Sequence, residues 1–194
     1  MRTERRLHRL EQVLKHRQPD LTIVMENIHD PHNVSAILRS CDAAGVMEVQ
    51  LIYTDQEFPD IGKKSSASAK KWVGLRRFKN VPECYSTLHE EGFKIYATHL
   101  AEQAQLVYDA NLTKKIAIVV GNEHEGVSQE AALAADGILQ IPMFGMIQSL
   151  NVSVATAVVL FECVRQRIAA GQYNESKYSI EDMAALVKKW AMKP

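Results

Sequence analysis

Three short stretches hold most of the side chains in this sequence that could do chemistry. The first is Glu26-Asn27-Ile28-His29-Asp30-Pro31-His32-Asn33, which runs into a helical pattern bearing Ser35, Arg39 and Asp42. The second, Gly121-Asn122-Glu123-His124-Glu125-Gly126-Val127-Ser128, places two carboxylates and a histidine between glycines. The third is Gln148-Ser149-Leu150-Asn151. Carboxylates, amides, hydroxyls and an arginine are the groups that orient a polar substrate, hold a phosphate or pass a proton. At helical spacing residues 35, 39 and 42 share a face, with Val34, Ile37, Leu38 and Cys41 opposite, so Arg39 is expected to point outward. Simpler uses stand beside these. Asn33, Ser128 and either Ser149 or Asn151 are good helix N-caps, and Gly126 suits a turn.

Other chemistries lack their residues. The glycines give no G-x-G-x-x-G after the first strand, so a nucleotide-dependent oxidoreductase is unsupported. Gly121 and Gly126 have P-loop spacing, but Val127-Ser128 stands where Lys-Ser/Thr is required. No His spacing suggests a metal site. Cys41, Cys84 and Cys163, an odd number without C-x-x-C, read as buried reduced thiols.

The three clusters need elements to position them, and each follows a predicted strand. Apolar strands over 21–25, 48–53, 93–98, 116–120 and 138–141 alternate with helical stretches over 33–44, 82–91 and 128–135. Regular β-α alternation argues an α/β domain with a parallel sheet, whose ligands bind at the carboxyl ends of the strands. The strand at 138–141 delivers a Pro- and Gly-broken loop to a long helix starting near Asn151. That loop carries Met143, Phe144, Met146, Ile147 and Leu150, more apolar surface than an ordinary connector, so a ligand, a partner subunit or the rest of the fold must cover it. An amphipathic helix over 3–17 and a basic one over 180–192 flank the whole.

At 194 residues and 46% hydrophobic, the chain suits one well-buried core with short appendages. No run of 18 apolar residues and no signal-peptide pattern is present, which suggests no membrane partner and a cytoplasmic location. A net charge of zero hides basic ends and an acidic centre. Within that centre, residues 63–79 hold seven cations (Lys63, Lys64, Lys70, Lys71, Arg76, Arg77, Lys79) and no acid, as a loop facing phosphate would.

Taken in order, Asn33 to Arg39 (N-x-x-x-x-x-R), Gly121-Asn122-Glu123-x-x-Gly126-Val127-Ser128 and Ile141-Pro142-Met143-x-Gly145-x-x-x-Ser149-Leu150-Asn151-Val152-Ser153 resemble the three motifs of the SPOUT-class RNA 2′-O-ribose methyltransferases. The likeness covers about residues 20–170. The flanks, Arg17-Gln18-Pro19-Asp20-Leu21, Lys71-Trp72-Val73 and the exit from Arg165-Gln166-Arg167 to Gly171, resemble the tRNA guanosine-18 branch of that class. One departure is Ser65 to Lys71, which stands where that branch usually has glycines and a histidine.

The resemblance implies a Rossmann-like parallel sheet flanked by helices and ending in a deep trefoil knot. It implies a methyltransferase unit over 20–170, with helical extensions over 1–19 and 171–194. It further implies a homodimer formed around the knot, S-adenosylmethionine as cofactor, and tRNA as partner, with a ribose 2′-hydroxyl methylated. Carried over by motif, Arg39, Asn33, Glu123, Ser149 and Asn151 are the catalytic positions, and Thr98, Gly121, Ile141, Met143 and Leu150 the cofactor contacts. RNA contacts are expected from Arg5, Arg6, Arg9 and Arg17, and from Lys63, Lys64, Lys70 and Lys71. In the family the arginine is proposed to handle the hydroxyl proton. A guanidinium is almost never deprotonated, so gripping phosphate or the hydroxyl is the safer role for Arg39. Methylation of another RNA nucleotide, or a knot protein that binds RNA without catalysis, are the competing readings.

Overall fold

The computed structural model describes residues 4–54, 57–59, 69–101 and 103–193, with the side chains of residues 69 and 70 left out. In chain order the elements are α1 (Glu4–Lys15), β1 (Leu21–Glu26), α2 (Pro31–Ala43), β2 (Glu48–Ile52), α3 (Ala69–Trp72), β3 (Gly74–Phe78), α4 (Val81–Glu90) and β4 (Lys94–Thr98). There follow β5 (Gln105–Leu106), β6 (Ile116–Val120), α5 (Gln129–Ala134), β7 (Gly137–Gln140), α6 (Val152–Ala169) and α7 (Ile180–Ala191). The strands form one sheet in the order β3-β2-β1-β6-β4-β7-β5, and all of its pairings are parallel. This is an α/β fold with a parallel seven-strand sheet flanked by helices, of the class the β-α alternation implies.

The sheet is covered on both faces, which is why its central strands β1 and β6 are apolar but for Thr22 and Glu26. All six residues of β1 and all five of β6 are buried. Alternate side chains sort to opposite sides. Ile23, Met25, Ile118 and Val120 pack with Val34, Ile37, Leu38 and Cys41 of α2 and with Val159, Leu160 and Cys163 of α6. Val24, Ala117, Val119 and Ile95 pack instead with Cys84, Tyr85 and Leu88 of α4 and with Ala131 of α5. A third cluster joins α1 to α7, where Leu10 and Leu14 meet Trp190, with Trp72 packed against them.

Three expectations are corrected. Helix α2 starts at Pro31, and its N-cap is Asp30, whose side chain accepts from His32 N–H, so Asn33 lies one turn inside. Asp-Pro supplies both the cap and the preset first helical φ. Residues 74–78 of the basic stretch are edge strand β3 rather than loop, with Arg76 bound to Glu91 at 2.6 Å. Ser35 is buried, because the helix turns that side toward the core rather than toward solvent with Arg39.

The chain runs from β1 outward to β2 and β3, then crosses to the other half of the sheet. The order therefore switches between β1 and β6, whose ends are level, with Met25 opposite Val120. Such a switch opens a crevice beyond the carboxyl ends of the two strands.

Candidate active site

At that crevice the first two clusters meet. The Asn33 amide donates from Nδ2 to Glu123 Oε1 at 2.9 Å. Asn151 Nδ2 donates to Asn33 Oδ1 at 3.1 Å, bringing in the third cluster. Backbone N–H groups of His29 and Asp30 also point at Glu123, at 3.4 and 3.3 Å. The polarity is fixed throughout. A carboxylate only accepts, so Asn33 must turn its nitrogen to Glu123 and its oxygen to Asn151. Asn151 in turn uses its own oxygen as the N-cap of α6, accepting from Ser153 N–H and hydroxyl. Burial alone would raise the Glu123 pKa. Hydrogen bonds from Asn33 and from the backbone N–H groups of Glu123, Asp30 and His29 outweigh it and hold the group below the usual carboxylate range. Glu123 is thus an ionised anchor at neutral pH.

The loop that carries Glu123 is braced twice more. Asn122 and Gly126 exchange backbone hydrogen bonds at 3.0 and 3.1 Å, and Asn122 Oδ1 accepts from His124 and Glu125 N–H. A side chain at Gly121 would place its Cβ 1.9 Å from the Gly126 carbonyl oxygen, so only glycine fits. At the far end, buried Glu26 accepts from the N–H and hydroxyl of Ser128, at 2.9 and 2.6 Å, while Ser128 caps α5. Glu26, Asn122 and Asp30 were not among the expected site residues. The signal for Glu26 was a lone carboxylate ending a strand that is apolar but for Thr22.

Beside this network, beyond β4, β6 and β7, lies a cavity of about 400 Å³. That is within the ~300–1,000 Å³ of small-molecule sites. All five expected cofactor positions, Thr98, Gly121, Ile141, Met143 and Leu150, line it, as do Glu123, Ser149 and Asn151. Three of the five present apolar surface, and the 121–126 loop closes one wall. Thr98 spends its hydroxyl proton on the Val119 carbonyl at 2.9 Å, which leaves its oxygen as an acceptor.

Arg39 does not line the cavity. It is exposed on α2, six residues beyond Asn33, about 9 Å along the axis at ~1.5 Å per residue. It therefore lies about that far from Asn33, outside the cavity lining. Of the expected RNA contacts, Arg5 and Arg9 are exposed on α1, and Arg6 donates to the Lys193 carbonyl at 2.7 Å. Arg17 is corrected from a surface cation to a buried tie. It is 1% exposed, pairs with Asp42, donates to Val46 O at 2.7 Å and lies over the Trp190 ring. Lys71 sits over Trp72, whereas Lys63, Lys64 and the Lys70 side chain lie outside the described residues.

Known proteins share this fold. The chain is 47% identical over 192 residues to a tRNA (guanosine(18)-2′-O)-methyltransferase of Thermus thermophilus, covering 99% of this chain and 98% of the relative. A crystal structure of an Aquifex aeolicus TrmH/SpoU tRNA modifying enzyme superposes with a TM-score of 0.90 at 39% identity, over 97% of this chain and 95% of that one. An AdoMet-bound rRNA methyltransferase from Sinorhizobium meliloti superposes with a TM-score of 0.66 at 26% identity, over 80% and 59%. Residues 20–161 match the model of the SpoU rRNA Methylase family, and the chain belongs to that family.

Proposed function

We propose that the protein methylates the 2′-hydroxyl of guanosine-18 in the D-loop of tRNA, with S-adenosylmethionine as methyl donor. The end-to-end likeness to the Thermus thermophilus enzyme carries this reading. The cavity suits the cofactor. Ile141, Met143 and Leu150 offer apolar contact to adenine and ribose, and the 121–126 backbone offers polar groups at close range. When bound, the sulfonium supplies an electrophilic methyl group.

The protein's task is then to bring a ribose oxygen into line and let its proton go. Glu123 is unsuited to take that proton, since its oxygens already accept from Asn33 and two backbone amides. Its work is to lock Asn33, and through it Asn151, against the cavity wall. Arg39, a permanent cation exposed on α2, binds an RNA phosphate and the hydroxyl, favouring loss of the hydroxyl proton to solvent water and so the oxygen nucleophile. Ser149 lines the cavity from the third motif and orients the ribose.

We further propose that the segment after β7 forms a deep trefoil knot. The 107–115 connection returns from the sheet edge to its centre, and its groups at Ala110, Leu112 and Lys114 are bound by Gln166 and Arg167 of α6, the helix that follows β7. A homodimer covers the third-motif loop, where Phe144 is 97% and Met146 100% exposed, and the α6 stripe of Val154, Phe161 and Ile168 at intervals of one heptad. Residues 20–170 act as the catalytic unit, and 1–19 and 171–194 grip the RNA backbone by charge and shape. Among the described residues no helix is long and apolar enough to cross a membrane, and three buried free thiols fit a reducing cytoplasm.

Transfer of labelled methyl to unmodified tRNA and to ribosomal RNA fragments, side by side, tests the substrate. Label on tRNA alone supports the reading. Label on ribosomal RNA alone would move the substrate and keep the site.

A further inference from the structure

Both tryptophans of the chain meet where α1, α3 and α7 converge. The rings of Trp72 and Trp190 lie 5.0 Å apart. Lys193 Nζ stands 5.7 Å from the Trp72 ring and 5.2 Å from the Trp190 ring, and Lys71 Nζ stands 5.1 Å from Trp72. The two lysines are tied together, because Lys193 Nζ donates to the Lys71 carbonyl at 2.5 Å. Arg6 fixes the tail from the other side through the Lys193 carbonyl.

No carboxylate among the described residues pairs with Arg6, Lys71, Lys189 or Lys193. Burial, then the like charges of Lys189, Arg17 and Lys71, depress the pKa of Lys193. Cations held together without an acid repel one another at a cost that ring faces offset only partly. An anion would remove that cost.

We propose that Lys71 and Lys193, seated on the Trp72–Trp190 pair, form a binding site for a phosphodiester of the RNA backbone. The site rests on the reading of the substrate as tRNA and deepens it. Its position at the junction of both terminal helices with the segment leading into β3 lets one phosphate contact hold three elements in register. It carries no sequence information and gives affinity and orientation.

The chain contains only these two tryptophans, so fluorescence excited selectively at tryptophan, beyond the absorption of its tyrosines, reports this site. Unmodified tRNA titrated at low salt is expected to shift or quench the emission saturably, and inorganic phosphate to compete only at far higher concentration. A Lys71→Gln, Lys193→Gln protein should bind tRNA about 5- to 10-fold more weakly. Its slope of log K against log salt should be smaller by about 1, as loss of one phosphate contact requires. Affinity for S-adenosylmethionine should be unaltered, and Lys193→Arg should restore tRNA binding. An unchanged salt slope and tRNA affinity in the double variant, while the wild-type protein methylates tRNA, would sink this site and leave the function standing. An absence of tRNA methylation by the wild-type protein would instead sink the function, whatever the fluorescence shows.

Discussion

Asn33 Nδ2 lies 2.9 Å from Glu123 Oε1, a contact between two motifs ninety residues apart. Because Asn151 binds the other end of the same amide, one side chain sets the relative position of all three clusters. Replacing Asn33 with Asp would set a carboxylate against a carboxylate and leave the Asn151 donor facing altered geometry. We expect Asn33→Asp to lose more activity than Asn33→Ala, by at least ~10-fold in kcat/KM, since an unpaired or repelled buried charge costs more than a lost neutral bond. Steady-state methylation by the two variants checks the order, and the reverse order would contradict the network.

The identities of Asn33, Glu123 and Asn151 were legible as three polar clusters, each after an apolar strand, because strand ends and helix starts leave residue-level signals. Their mutual contact was not, since nothing local relates position 33 to position 123. Arg17 shows the opposite failure. It follows a helix rich in arginines, and only the folded chain brings Asp42, Val46 and Trp190 around it. Strand β3 was hidden by composition, because Arg76 and Arg77 look like loop charges, whereas an edge strand tolerates and benefits from cations.

A Gly121→Ala protein is expected to keep its secondary structure and lose cofactor binding. The added Cβ would collide with backbone at Gly126 rather than with a yielding side chain. Calorimetric titration with S-adenosylmethionine should show at least ~10-fold weaker binding, of the order that 1.4 kcal/mol of loop strain produces. Unchanged affinity would show that the loop's tight closure does not serve the cavity.

Arg167 is 0% exposed and binds Asp20 Oδ1 at 2.6 Å, Lys114 O at 2.6 Å, Gln18 Oε1 at 3.1 Å and Leu112 O at 3.2 Å. Removing it takes the donor from the Leu112 and Lys114 carbonyls and from Gln18, and leaves Asp20 with Lys177 as its remaining cation, a loss of about 3 kcal/mol. Arg167→Ala is therefore expected to lower the thermal midpoint by roughly 10 °C, at ~2–4 °C per kcal/mol for a chain of this size. A drop of under ~2 °C in a calorimetric scan would argue against a structural role.

Among the described residues, the carboxyls of Glu123, Asp136 and Glu162 are held below their ordinary range. In Glu123 and Asp136 burial is outweighed by hydrogen bonds, from Asn33 and the backbone, and from Ile95 N–H and His89, respectively; in Glu162 the bond from Arg165 leads. Each releases its proton more readily folded than unfolded, so each stabilises the fold above the unfolded carboxyl range of ~4. That contribution is lost as pH falls through the lower folded values. Urea midpoints are expected to be flat with respect to these groups from pH 7 to about 5 and to decline below ~4.5. For the same reason Glu123 should add no acidic limb near pH 6 to the rate profile, and a Glu123-dependent limb there would revive it as a proton acceptor.

The most direct test of the central claim is to map the methyl group. Unmodified tRNA transcript, wild-type protein and labelled S-adenosylmethionine should place the label on the ribose of guanosine-18, seen as a linkage there that resists alkaline hydrolysis. A parallel transcript with 2′-deoxyguanosine at that position should stay unlabelled, and Arg39→Ala should cut the rate by at least ~100-fold, the scale of a lost charge-stabilising group. Label on a base, label at another nucleotide, or full activity without Arg39 would contradict the account.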